Sequence, residues 1–184
     1  AGAIIARLQE LSRKFRTEGP FDDEYDCSHT TIHVGLVRGG TALNIVPAEC
    51  VFEFEFRHLP NDDPDKIFRD VQGFVDTELL PEMRAVYPGA TITFEPMAVI
   101  PSLDTPEDAP VTQLAKAITG ENHVRKVSYN CEACLFHGAG VPTIICGPGN
   151  IDQAHKPNES IDIEQIAKCE DFMNGLMDRV CADN

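Results

Sequence analysis

The chain has 184 residues, 42% of them apolar, enough for a real core and inconsistent with an intrinsically disordered protein. Against 30 Asp and Glu stand 15 Lys and Arg, and the net charge of -15 repels phosphate backbones, which excludes nucleic acid as a partner. No run approaches the roughly 20 apolar residues of a membrane span and no signal peptide is visible, so neither a membrane partner nor export is expected.

Ile4, Ile5, Leu8, Leu11 and Phe15 recur at helical spacing and predict a helix over 2–16. That pattern starts without an initiator Met or a cap, from which further polypeptide is expected upstream. An acidic loop runs from Glu18 to Asp26. Residues 31–37 alternate as a strand, and Arg38-Gly39-Gly40-Thr41 reads as a turn. Residues 51–57 form a period-2 strand, with Val51, Glu53, Glu55 and Arg57 on one face and the Phe residues on the other. Asn61-Asp62-Asp63-Pro64 supplies an N-cap and a first-turn Pro for a long helix over 64–86. Residues 90–95 read as a third strand. Helix, hairpin, helix and strand make most of a two-layer α+β sandwich of the ferredoxin type; its one missing strand is expected before residue 1.

The Pro- and Asp-rich stretch 96–110 reads as a linker. Beyond it the pattern predicts a helix (110–119), a strand (124–129), a short helix (131–139), a buried strand (141–146), a Gly-Pro-Gly loop and a final helix (162–181). This alternation argues for an α/β piece of a larger parallel or mixed sheet, with too few strands to stand alone. A strand over 141–146 puts the loop 147–159 at a strand's carboxyl end, where open α/β sheets build their sites.

Seven cysteines are an odd number with no disulfide spacing, and Cys50, Cys131, Cys146 and Cys169 lie in or beside apolar segments. Both features point to a reducing, cytoplasmic setting.

The loop holds one histidine, His155, whose neutral ring nitrogen suits a metal or a substrate oxygen. A surface histidine in a Pro-rich turn is the plain alternative. Cys131 and Cys134 form a C-x-x-C, open to three readings: two small buried residues at a helix start, a redox pair, or half of a zinc site. Glu132 either orients a ligand or stabilises a helix N-terminus. Arg57 either grips a carboxylate through its planar fork or makes a cross-strand salt bridge.

Three segments carry a resemblance. They are Gly39-Gly40 through Asn44, Pro47 and Arg57 to Pro60; Asn130-Cys131-Glu132-Ala133 through Gly140 to Thr143; and Gly147-Pro148-Gly149 through His155 to Glu159. In this order and spacing, over essentially the whole chain, they resemble the zinc metallopeptidase family of acetylornithine deacetylase, succinyl-diaminopimelate desuccinylase, aminoacylase and glutamate carboxypeptidase. The Gln153-Ala-His-Lys-Pro157 run is most similar to the acetylornithine deacetylase branch.

The resemblance implies that 1–100 is most of a dimerisation (lid) domain without its first strand, and that 108–184 is the C-terminal segment of a zinc-peptidase-like α/β catalytic domain. It implies His155 as a metal ligand. It makes Arg57 and Asn44 holders of the substrate carboxylate, with Cys131, Glu132, Gly147 and Gly149 around the same pocket. The cofactor implied is zinc, as two divalent metals with cobalt as a substitute. The partners implied are a small N-acyl amino acid and a second copy of the chain. The family's remaining metal ligands and its general base match nothing here and are expected upstream, so no catalytic residue is assigned and the chain alone is expected to be inactive. Cys131 stands where the family usually has Thr, which weakens a hydroxyl contact to substrate; Asn158 stands for an Asp. Removal of acetyl from N-acetyl-L-ornithine in arginine biosynthesis is the implied activity. A non-catalytic dimerisation module and a related deacylase of another N-acyl amino acid are the alternatives.

Overall fold

A computed structural model describes residues 1–181. The chain forms two compact units: Ala1–Ser102 with Arg125–Cys131, and Leu103–Val124 with the chain from Glu132 onward.

In the first unit, helix α1 (Gly2–Glu18) buries Ile4, Leu8 and Leu11, the stripe that its periodicity predicts. Strands β1 (Thr31–Gly39) and β2 (Cys50–Arg57) pair antiparallel, with Ile32 opposite Phe56, Val34 opposite Phe54 and Val37 opposite Phe52. The ladder slips between Val34 and Leu36, so Gly35 is an extra, bulged residue. The slip keeps Ile32, Val34 and Val37 in phase with Phe56, Phe54 and Phe52. Phe52, Phe54 and Phe56 pack on the core, which forces Glu53, Glu55 and Arg57 onto the opposite face.

Helix α2 (Pro64–Phe74) starts where the sequence places it: the Asp63 carboxylate accepts the N–H groups of Asp65 and Lys66, and Pro64 takes the first turn. The predicted single helix over 64–86 is interrupted. A π-turn, Val75–Leu79, separates α2 from α3 (Leu80–Val86). The extra residue lets Val75 lie in the core and Leu79 pack against it. Ile67, Val71 and Val75 meet Ile4, Leu8, Leu11 and Ile32 in one cluster. Each fully buried aliphatic side chain of this kind stabilises the fold by about 1.5–3 kcal/mol over leaving it in water. The unit is α+β, with helices on one face of a small sheet.

In the second unit, α4 (Pro110–Thr119) ends on Gly120 in the left-handed region at φ 69°. Helix α5 spans Glu132–Gly138 and α6 spans Ile163–Val180. Helices α4 and α6 touch at Gly175, where an added Cβ would fall 2.9 Å from the Ile118 Cγ2. Helix α6 has no buried residue, and Ile163, Ile166, Met173, Met177 and Val180 are all exposed.

Three predicted strands are corrected. Residues 90–95 and 141–146 form no ladder, and 124–129 contributes only an isolated bridge between Lys126 and Tyr25. A strand exists only when a neighbour takes its N–H and C=O groups, and the described residues hold none for these segments. Ile92 and Phe94 still pack on the core, with Phe94 edge-on to Phe68 at 5.3 Å. Residues 141–146, expected to be buried, are half-buried to exposed. No described helix is long and apolar enough to cross a membrane.

Candidate functional site

In the first unit, the candidate residues sit on the outer face of the hairpin and in its connection. Arg57 ends β2 opposite Thr31, with Glu55 two residues back opposite His33. The Arg57 Nε–H donates to Glu55 Oε1 at 3.2 Å, and Nη2 lies 3.1 Å from the same oxygen. The expected alternative of a cross-strand pair fails for Arg57, which pairs along its own strand. It holds instead for Arg38, whose Nη1 is 3.8 Å from Glu53 Oε1. Beyond Arg57 the backbone is pinned from two sides. The Ser102 hydroxyl donates to the His58 carbonyl at 2.8 Å, and the buried Leu59 N–H donates to Thr30 Oγ1 at 3.1 Å. Thr30 in turn donates to the Asp62 carboxylate. Asn44 is exposed in the connection between the strands, where Ile45 N–H closes a turn on the Ala42 carbonyl at 3.2 Å. Leu43 within that turn and Val46 just after it are exposed as well.

Cys131 closes the first unit as a half-buried free thiol. Glu132 opens α5 in the second unit and is exposed in its first turn, where a helix N-terminus favours negative charge. Cys134 is buried within α5.

The loop after residue 146 is held by short polar contacts. Gly149, at φ 95°, donates its N–H to Gln165 Oε1 at 3.4 Å, which ties the loop to the first turn of α6. A side chain at Gly149 would meet only ordinary contacts with Ile161, so the positive φ is what requires glycine. Gly147 faces open space. The Asn150 side chain accepts the Asp152 N–H at 3.0 Å and starts a single 3-10 turn, Ile151–Gln153. His155 follows at φ 61° and is exposed; its N–H donates to Glu159 Oε2 at 3.3 Å. Asn158 is also left-handed, at φ 58°. Two non-glycine residues in that region within four positions mark a strained turn held by its contacts. Sequence reasoning missed the roles of Glu55, Asn150, Glu159 and Gln165, since each acts through a contact that no single-residue pattern encodes.

Catalytic zinc takes about three protein ligands. Among the described residues no three His, Cys, Asp or Glu side chains gather as a metal site. His155 by itself is one donor of the three that such a site needs.

Residues 1–83 match the family described as peptidase dimerisation domain. Over nearly its whole length the chain is similar to proteins named acetylornithine deacetylase. That of Myxococcus xanthus is 27% identical over 185 residues, which is 98% of this chain and 46% of that protein. That of Photorhabdus laumondii subsp. laumondii is 30% identical over 180 residues, 98% of this chain and 45% of that protein. That of Proteus mirabilis is 29% identical over 153 residues, 83% of this chain and 38% of that protein. The chain thus spans less than half the length of these relatives.

Proposed function

We propose, from the match of residues 1–83 to the peptidase dimerisation domain family, that the chain is the C-terminal portion of a metal-dependent amidohydrolase that releases acetate from N-acetyl-L-ornithine. The observation that carries this reading is the similarity to acetylornithine deacetylases over 98% of the chain. Residues 1 to about 100 serve as the dimerisation domain and join two copies. Residues from about 108 onward form the closing segment of a catalytic domain. The exposed apolar stripe of α6 and the unpaired segment 141–146 support that reading, because both offer surface to further sheet and helix.

Each residue has a role that its chemistry suits. Arg57 presents a planar fork to a substrate carboxylate, and Asn44 adds a neutral amide at the exposed hairpin connection. Cys131 offers the substrate a thiol and Glu132 a carboxylate, and Gly147 and Gly149 let backbone come close to a ligand. His155 supplies one ligand of a zinc centre whose other donors lie in polypeptide outside these residues. An acidic chain whose seven cysteines show no disulfide spacing suits the cytoplasm.

A second reading, a non-catalytic dimerisation module, is favoured by one observation: the family matched over residues 1–83 is itself a dimerisation domain. One experiment separates the two. Hydrolysis of N-acetyl-L-ornithine with added zinc is measured for this chain alone and with the remaining half of the polypeptide, as its full-length relatives have it, supplied in trans. Turnover in the mixture only is expected. His155→Ala should then reduce that turnover by about 100-fold or more and lower bound zinc by mass spectrometry. Unchanged zinc content and rate in the variant would remove His155 from the site, and an inactive mixture would favour the module or another N-acyl amino acid.

A further inference from the structure

We propose that Glu55 is a specificity-determining residue, an internal carboxylate that occupies Arg57 and yields it only to a ligand presenting two carboxylate oxygens. The inference rests on the reading of Arg57 as the receiver of a substrate carboxylate. Residues two apart on a strand share a face, so the two long side chains meet without backbone distortion. Both nitrogens on one edge of the guanidinium, Nε and Nη2, converge on the single oxygen Oε1, at 3.2 and 3.1 Å. That edge matches a carboxylate best when each nitrogen has its own oxygen. The pair is also open to water, with the Arg57 side chain 41% and the Glu55 side chain 54% exposed. Exposed pairs of this kind are weak and easily displaced.

An incoming carboxylate that takes both nitrogens in parallel therefore outcompetes Glu55. A spherical anion such as chloride offers both nitrogens one shared acceptor, as Oε1 already does, so it gains nothing over Glu55 and does not displace it. The displaced Glu55 has a neighbour to receive it: His33, exposed, lies directly opposite across the ladder. Glu53, the other acidic residue on this face of β2, lies toward Arg38 at 3.8 Å and does not replace Glu55 at Arg57.

The test is a titration of the whole chain with N-acetyl-L-ornithine, and separately with sodium chloride, for wild type, Glu55→Gln, Glu55→Asp and Arg57→Gln. Binding is read from the backbone amides of β2 by NMR and, where Arg57 is present, from its Nε–Hε resonance. Thermal melts confirm that each variant is folded. Glu55→Gln should move the Arg57 resonance in the free protein, tighten N-acetyl-L-ornithine binding about two- to five-fold, and make the site respond to chloride. Glu55→Asp should restore part of the chloride insensitivity. Unchanged or weaker binding in Glu55→Gln, with binding lost in Arg57→Gln, overturns the proposal while the Arg57 assignment stands. Wild-type binding in Arg57→Gln, or no response of the wild-type amides to the ligand, overturns the assignment and the proposal together.

Discussion

Thr30 is polar and fully buried, and it answers for two neighbours at once. Its hydroxyl donates to Asp62 and accepts the Leu59 N–H, so it braces the chain that leaves Arg57. Thr30→Val keeps the shape and removes both bonds, leaving a buried N–H without a partner. A loss of about 1–3 kcal/mol is expected in urea unfolding; a loss near zero would mean that water replaces the hydroxyl. Lys116 gives a second test at this scale. Its ammonium, hydrogen-bonded to Glu107, holds that carboxyl below the usual carboxylate range. A carboxyl with a depressed folded pKa adds stability above its unfolded pKa and loses it as pH falls through the folded value. Lys116→Met should therefore narrow the difference in melting temperature between pH 7 and pH 3, and an unchanged difference would show that solvent screens the pair completely. At His155 the residue type and the Pro-rich setting were legible in sequence. Its left-handed backbone was not, because a non-glycine residue seldom adopts that region and the Glu159 contact beside it forms only in the folded loop.

Helices were more legible than strands, for a reason of range. The residues 110–119 predicted as a helix are the helix found, Pro110–Thr119, because cap, Pro and apolar period all lie within ten positions. The 64–86 prediction held at its start and missed the π-turn at Val75–Leu79, since the packing of Val75 and Leu79 that favours the extra residue is tertiary. The 90–95, 124–129 and 141–146 predictions rested on local apolar patterning, which could not supply a partner strand. Packing between helices also decides how glycine behaves. Gly73 in α2 has open space around an added Cβ, whereas Gly175 in α6 would put one 2.9 Å from Ile118. Gly73→Ala should stabilise by about 0.5–1 kcal/mol. Gly175→Ala should gain the same helix preference, yet lower the melting temperature by pushing α4 from α6. Equal shifts in the two variants would show that the Ile118 contact carries no weight.

At the scale of the molecule, charge and association oppose each other. Two copies of a chain with net charge -15 repel at low ionic strength. If residues 1–83 join two copies, their dimer should tighten as salt rises from about 0.01 M to 0.15 M, where the screening length falls from about 30 to 8 Å. Sedimentation equilibrium at both salts checks this, and a dimer that weakens with salt would point to cross-subunit ion pairs instead. The two units also differ in how complete they are. The first surrounds one apolar cluster, while the second leaves the apolar side chains of α6 in water.

Gly35 has a consequence for how this hairpin can change by insertion and deletion. It is the extra residue in β1, so removing it leaves Val34 opposite Phe54, Leu36 opposite Glu53 and Val37 opposite Phe52. Loss of any regular strand residue would instead turn the following side chains over. A one-codon deletion at Gly35 thus straightens the local twist while keeping the Phe-lined face inward and the Arg57 face outward. Hairpin curvature, and with it the aim of the connection carrying Asn44, is adjustable by a mutation that leaves the core intact.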